Sequence, residues 1–234
     1  KGLEAEKLIK GARRIIADKL AVSPQEIYFT SGGTEANNLA IKGAVQALKR
    51  YGKRIITSSI EHPSVLEVFK DFEEEGFDVK YLDVTEQGII DVEQLGKYLN
   101  QDTILVSIMG VNNEIGSIQP LTQVKEVIAD YDKLYFHVDG VQALAKVNIA
   151  PKKLDIDLYS ISAHKVYGPK GVGALYIRKG ARINNLLSGS GQEAGIRPGT
   201  ENVPGIAGFD KAVELLKDSN DRERLYKLKE LLVT

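Results

Sequence analysis

Short apolar β runs alternate with longer helical stretches along almost the whole chain, and few folds accept that rhythm. Runs rich in Ile, Val, Tyr and Phe predict strands at residues 26–30, 54–60, 78–84, 103–109, 134–139, 157–162 and 173–177. Spacing of apolar residues by threes and fours predicts helices at 2–20, 34–51, 64–75, 91–99, 121–131 and 206–232. On the second helix, Ala36, Leu39, Ala40, Gly43, Ala44, Ala47 and Leu48 make a stripe of small residues that allows a close neighbour. Strands separated by helices pair in parallel, with helices covering both faces of the sheet. The last two strands are joined only by a loop holding Gly168, Pro169, Gly171 and Gly173, too short for a crossover helix. The expected fold class is therefore α/β with three layers. Its mostly parallel seven-stranded sheet has helices on both faces and an antiparallel last strand.

Length and composition add limits. The 234 residues suffice for one large domain, so residues 1–234 are read as a single domain. The 31 basic and 32 acidic side chains nearly cancel, which gives no electrostatic case for nucleic acid or a membrane surface. No apolar run approaches a membrane span, and the first residues lack the apolar core of a signal peptide, so a soluble, cytoplasmic protein is expected. There is no cysteine, hence no disulfide and no thiolate metal site. With three histidines as the remaining soft ligands, no metal is expected, although His137, Asp139 and His164 are conceivable ligands.

In open α/β sheets, ligands sit at the carboxyl ends of the parallel strands, so the residues following each strand carry the functional reading. Gly32-Gly33-Thr34 leads into a helix, either as an anion site of backbone amides and a hydroxyl or as an ordinary turn with Thr34 as cap. It matches neither a Walker loop nor a dinucleotide fingerprint. His62 precedes Pro63 at a helix start, where its ring could stack on an aromatic or move a proton, or simply satisfy the backbone. Asp139 closes an apolar strand. A buried carboxylate there wants a cationic partner such as a protonated pyridine nitrogen, or it caps the segment after Gly140. Lys165 follows His164 at a strand end before a glycine-rich turn; it is a nucleophile toward carbonyls if partly desolvated, or a surface lysine if not. His137 reads as packing. Residues 183–204 are rich in Gly, Ser and Asn yet carry Gln192, Glu193, Arg197 and Glu201, which marks an ordered functional loop.

Taken together, Thr30-Ser31-Gly32-Gly33-Thr34-Glu35-Ala36-Asn37-Asn38, Glu61-His62, Val111-Asn112-Asn113-Glu114-Ile115-Gly116, His137-Val138-Asp139 with Gln142, Ser162-Ala163-His164-Lys165 and residues 191–200 resemble the cysteine desulfurases of the NifS/IscS type. These are class V, fold-type I enzymes that use pyridoxal 5'-phosphate (PLP). The resemblance implies that Lys165 holds PLP covalently, His62 stacks on its ring, and Asp139 pairs with its pyridine nitrogen. Gln142 and Asn113 lie near the phenolic oxygen. Gly33, Thr34, Ser162 and His164 hold the phosphate. Thr200 reaches the cofactor phosphate of a second subunit, which implies a homodimer. Lys165 and His62 are the expected catalytic residues and L-cysteine the substrate. Sulfur would pass to a protein cysteine and on to an acceptor or scaffold protein, for iron–sulfur cluster or thio-cofactor assembly. The persulfide cysteine is missing from this sequence. The resemblance thus implies the large domain alone, without the family's N-terminal segment and small C-terminal domain, holding PLP but not turning over cysteine by itself. The same contacts suit two other readings, another class V enzyme such as an aminotransferase or selenocysteine lyase, and a non-catalytic PLP-binding or dimerisation domain.

Overall fold

The computed structural model describes residues 2–216 and 221–233. Its centre is one seven-stranded sheet in the order β1-β7-β6-β5-β4-β2-β3. The strands are β1 (Ile27–Thr30), β2 (Arg54–Ser58), β3 (Asp78–Leu82), β4 (Thr103–Met109), β5 (Tyr135–Asp139), β6 (Leu158–Ser162) and β7 (Gly173–Ile177). The helices are α1 (Gly2–Leu20), α2 (Gly33–Leu48), α3 (Pro63–Glu74), α4 (Val92–Tyr98), α5 (Leu121–Ile128), α6 (Val203–Leu215) and α7 (Asp221–Val233).

Five of the strands pair in parallel, from β3 through β6, and β7 is antiparallel to both of its neighbours, to β6 as the short Gly-Pro loop requires. The position of β7 is less obvious. It inserts between β6 and β1, so β1 stands at the sheet edge and touches the rest only through β7.

The alternation of side chains along each strand creates two cores. Phe136 and Val138 of β5 and Tyr159 and Ile161 of β6 face α1, α4, α5 and α6. Leu105, Leu158, Leu175 and Ile177 face α2 and α3. All seven residues of β4 are buried, as a strand covered on both faces must be. The small-residue stripe of α2 does what its composition suggests. A Cβ at Gly43 would stand 2.6 Å from the carbonyl oxygen of Asn184, so only glycine admits the 183–184 backbone there.

Element ends differ modestly from the sequence reading. β2 stops at Ser58 rather than 60, and β3 at Leu82 rather than 84, where Val84 makes an isolated bridge to Ile90 instead. The C-terminal helix expected at 206–232 is not one rod. α6 begins earlier, at Val203, capped by the Asn202 side chain on Gly205 N at 3.1 Å. It ends at Leu215, because Leu216 leaves helical conformation at ψ 47°. Residues 217–220, inside the expected helix, lie outside the described residues.

His137 is packing, as read. It lies fully buried in β5 with Ser107 Oγ 2.8 Å from Nδ1 and Ser160 Oγ 2.9 Å from Nε2. Desolvation lowers its pKa to about 3, so the ring stays neutral.

Gly140 gives the fold its sharpest test, because a Cβ there would land on the ring of buried Tyr159. The ring or the backbone must move to admit it. Gly140→Ala should destabilise the protein by about 1–3 kcal/mol, measured by urea unfolding; an unchanged midpoint would mean that the ring can swing aside.

Candidate active site

Between β2 and β4 the chain leaves to one side for β3 and returns on the other, so the carboxyl ends of these strands open a crevice. A cleft of about 210 Å³ lies there. It is lined by Gly33 and Thr34 from α2, His62 from the start of α3, Asn113 after β4, Asp139 and Gln142 at the end of β5, and His164 and Lys165 after β6. Ser162 is fully buried and supports His164, its Oγ 2.8 Å from Nδ1. Nine of the ten sequence-predicted site residues therefore meet at one place: the eight lining ones and Ser162. Thr200 is the exception. It is exposed and does not line the cleft of its own chain.

Each position has a local cause. Gly32, not Thr34, is the N-cap of α2, which leaves the Thr34 hydroxyl free of a capping role and the first amides of α2 open. A Cβ on Gly33 would come within 2.7 Å of Val141 Cγ2, so glycine permits the first turn of α2 to sit against the β5 exit. His62 is the N-cap of α3, with Pro63 at its first position, and its Nδ1 accepts from Ser64 N at 3.1 Å. Lys165 is half-buried in a short 3₁₀ turn, Ala163–Val166, closed by Tyr167 in left-handed conformation at φ 65°.

Asp139 is 5% exposed. Its Oδ1 accepts from Val141 N at 2.9 Å, the local capping role the sequence allowed, and its Oδ2 accepts from Asn37 Nδ2 at 2.7 Å. Burial pushes its pKa up against these two bonds, and no lysine or arginine among the described residues pairs with it. The carboxylate is therefore short of a cation.

Three side chains escaped the sequence reading of the site, and the loop expected to be ordered is held by two ion pairs. Asn37, 1% exposed, joins Asp139 to Ser64, which in turn meets His62. Asn37 lay inside a recognised motif, but nothing in its spacing told which of two adjacent asparagines points inward. Lys146 holds Gln142 Oε1 at 3.1 Å, and burial followed by the charge of Lys165 lowers its pKa. Glu61 is fully enclosed; its Oε1 accepts from Ser58 Oγ at 2.7 Å and Met109 N at 2.8 Å, while its Oε2 has no partner. Finally, Arg197 Nε donates to Glu35 Oε1 at 2.7 Å and Arg13 Nη2 to buried Glu193 at 2.6 Å. These two pairs tie the 192–200 segment to α2 and α1, so that segment is ordered. A larger open groove of about 590 Å³, between α1 and residues 191–194, contains none of the parallel-strand-end residues.

The fold defines a class, the NifS-like fold type I of a seven-stranded, mostly parallel sheet wrapped by helices. The aminotransferase class-V family matches residues 1–232, and the chain belongs to it. Cysteine desulfurase IscS of Dictyoglomus turgidum is 49% identical over 99% of this chain and 59% of that protein. A solved NifS-like protein superposes with a TM-score of 0.95 at 43% identity, covering 99% of this chain and 64% of that one. SspA, solved in complex with cysteine, gives a TM-score of 0.86 at 44% identity, over 91% of this chain and 62% of its own. The chain thus spans about three fifths of the length of such relatives.

Glu61 gives a pH test. Burial first, and the charge of Asp139 last, raise its pKa to about 8, against the hydrogen bonds from Ser58 and Met109. The folded state then keeps a proton that the unfolded chain releases above about 4.3. Stability must fall as pH rises from there to about 8, by at most about 1.4 kcal/mol per unit. Glu61→Gln should remove that slope, so urea unfolding near pH 5 and near pH 8 should show the variant gaining on the parent at the higher pH. Equal slopes would show that Glu61 is ionised in the fold.

Proposed function

We propose that this chain is the PLP-binding part of a cysteine desulfurase, with Lys165 as the residue that holds the cofactor. The observation that carries the proposal is the convergence of Lys165 with an unpaired buried carboxylate and an open helix N-terminus in one cleft. The donor set fits PLP at both ends. Asp139 lacks the cation that a protonated pyridine nitrogen supplies. Gly33, Thr34, Ser162 and His164 offer amides, hydroxyls and an imidazole suited to a phosphate. When bound, PLP supplies an electron sink for bonds broken at the substrate's α-carbon.

The protein's own groups take the remaining roles. The Lys165 amine moves the substrate α-proton, and the Asp139 carboxylate holds the proton on the ring nitrogen. Asn113, Gln142 and His62 line the same cleft; Asn113 and Gln142 would hold the cofactor at its phenolic oxygen, and His62 would hold its ring and assist proton transfer. Thr200 serves a second copy, so the complete site belongs to a homodimer; its exposure leaves it available for that contact. L-Cysteine is the substrate. Its Cβ–S bond breaks, the sulfur passes to a protein thiolate as a persulfide, and alanine leaves. The 234 residues contain no cysteine, so none of them can carry the persulfide. An acceptor or scaffold protein would take the sulfur onward for iron–sulfur or thio-cofactor assembly. Among the described residues no helix is long and apolar enough to cross a membrane; a cytoplasmic location is part of the proposal.

The chain incubated with PLP should absorb as a lysine-linked cofactor, and borohydride should fix the label on the peptide bearing Lys165. Lys165→Ala should lose both signals with an unchanged circular dichroism spectrum. A label on Lys146, which lies close by, would overturn the assignment. Asp139→Ala should weaken PLP binding about tenfold or more, the loss of a charge-assisted hydrogen bond; equal affinity would remove Asp139 from the proposed role.

A further inference from the structure

Four polar side chains from three elements form one unbroken chain of hydrogen bonds beneath the cleft. Asp139 Oδ2 is 2.7 Å from Asn37 Nδ2, Asn37 Nδ2 is 2.9 Å from Ser64 Oγ, and Ser64 Oγ is 2.8 Å from His62 Nδ1. The two ends are the groups on which the proposed function depends, the ring-nitrogen carboxylate and the stacking histidine. The middle two, Asn37 and Ser64, have no role in it.

The direction of the protons along this chain follows from its fixed ends. A carboxylate only accepts, so Asn37 must turn its NH₂ group, not its carbonyl, toward Asp139. That nitrogen has two hydrogens, and the geometry uses one on Asp139 and the other on Ser64 Oγ. Ser64 Oγ accepts from Asn37, which leaves its own proton for His62 Nδ1. The backbone N–H of Ser64 donates to the same nitrogen at 3.1 Å, and its polarity cannot invert. His62 Nδ1 therefore faces two donors. An N–H at that position would oppose both, whereas a lone pair satisfies both.

We propose that Asn37 and Ser64 are positioning residues that hold His62 in the tautomer with Nδ1 bare and the proton on Nε2. Nε2 has no protein hydrogen-bond partner among the described residues, and His62 lines the cleft. The neutral ring then presents a donor, not an acceptor, to whatever occupies the site. It polarises or hydrogen-bonds a substrate or cofactor atom, and proton removal is left to Lys165. A neutral histidine that donates from one ring nitrogen is known to work this way as an electrophile. The use of this tautomer in catalysis rests on the PLP reading; the tautomer itself does not.

The test uses the chain free of PLP, labelled with ¹⁵N-histidine, at a pH near 8.5, above the ~6.5 of an unperturbed imidazole. Two-bond proton–nitrogen spectra report which ring nitrogen carries hydrogen, and His62→Gln identifies the signals. The expected result is Nε2–H dominant at His62. Ser64→Ala should lower the ratio of Nε2–H to Nδ1–H about three- to tenfold, the effect of losing one neutral hydrogen bond. Ser64→Thr keeps the hydroxyl and should restore it. Asn37→Ala should lower the ratio although it touches neither His62 nor its backbone donor, and this effect through Ser64 is the part a merely structural serine would not produce. Ser64→Ala alters a partly exposed side chain, so it remains informative if Asn37→Ala fails to fold. A mixed or Nδ1–H population in the parent overturns the proposal, as does an unchanged ratio in Ser64→Ala. If the tautomer is found and the chain takes up no PLP, the relay stands and the enzymatic reading falls.

Discussion

The burial of the Asp139 carboxylate is the constraint around which the domain is arranged. It lies at the carboxyl end of β5, with β4 on one side and β6 on the other, only 5% exposed although it lines the cleft. A bare charge in that place is costly, and two donors reduce the cost without removing it. One donor is the local amide of Val141. The other must come from outside the strand, and α2 supplies it as Asn37. For Asn37 to reach, α2 has to lie close over the sheet, which the small buried residues Ala36, Ala40, Gly43 and Ala44 allow beside the larger Leu39, Ile41, Val45 and Leu48. Once α2 is there, its first turn necessarily delivers Gly33 and Thr34 to the same cleft, and Glu35 to Arg197. The open amides of α2 and the buried carboxylate are thus placed by one packing decision.

Desolvation, rather than ion pairing, sets the electrostatics of this edge. It is the leading cause of the shifts of Glu61, Asp139, His137 and Lys146 alike. The consequences differ by sign. Glu61 and His137 are neutral and act as hydrogen-bonding struts, the first joining β2 to β4 and the second joining β4 to β6. Asp139 keeps two donors and wants a positive charge. A cleft whose neighbours are neutralised by burial leaves Asp139 as the distinctive anion, so a cationic ring nitrogen would have one place to go.

Much of this was legible in the sequence because it rests on short-range rules. Strand and helix positions follow apolar period, and the direction of β7 follows from a loop too short for a crossover. Its place between β6 and β1 does not, since a hairpin fixes direction to one neighbour and says nothing of the other. The strand-end rule pointed to Gly33, Thr34, His62, Asp139 and Lys165 without knowledge of their neighbours, while Asn113, Gln142, Ser162 and His164 came with the family resemblance. Asn37, Ser64 and Lys146 were missed for the opposite reason. For Asn37 and Ser64 the importance arises only when segments 27 and 102 residues apart in sequence meet, and for Lys146 only when the turn after β5 meets Lys165. The long C-terminal helix failed because charged periodicity continues past Leu215 while the backbone at Leu216 does not.

Cofactor retention and sulfur chemistry separate physically in such a domain. On the proposed reading, retention would depend on groups contributed by the ends of β1, β2, β4, β5 and β6 together with Thr200 of a second copy. Rate and specificity depend on interactions that strengthen only in the transition state, and in a desulfurase the decisive one is a thiolate meeting the substrate sulfur. No residue of this chain can supply it. Lysine, aspartate and stacked histidine are therefore compatible with several reactions, and what narrows them is the polarity of the groups around the substrate. A histidine that donates through Nε2 leaves one amine in the cleft to accept the α-proton. Proton removal and hydrogen-bond donation would then fall to different residues before any thiol arrives, and the domain would commit the substrate to loss of its α-proton while leaving the fate of its sulfur to a group outside these 234 residues.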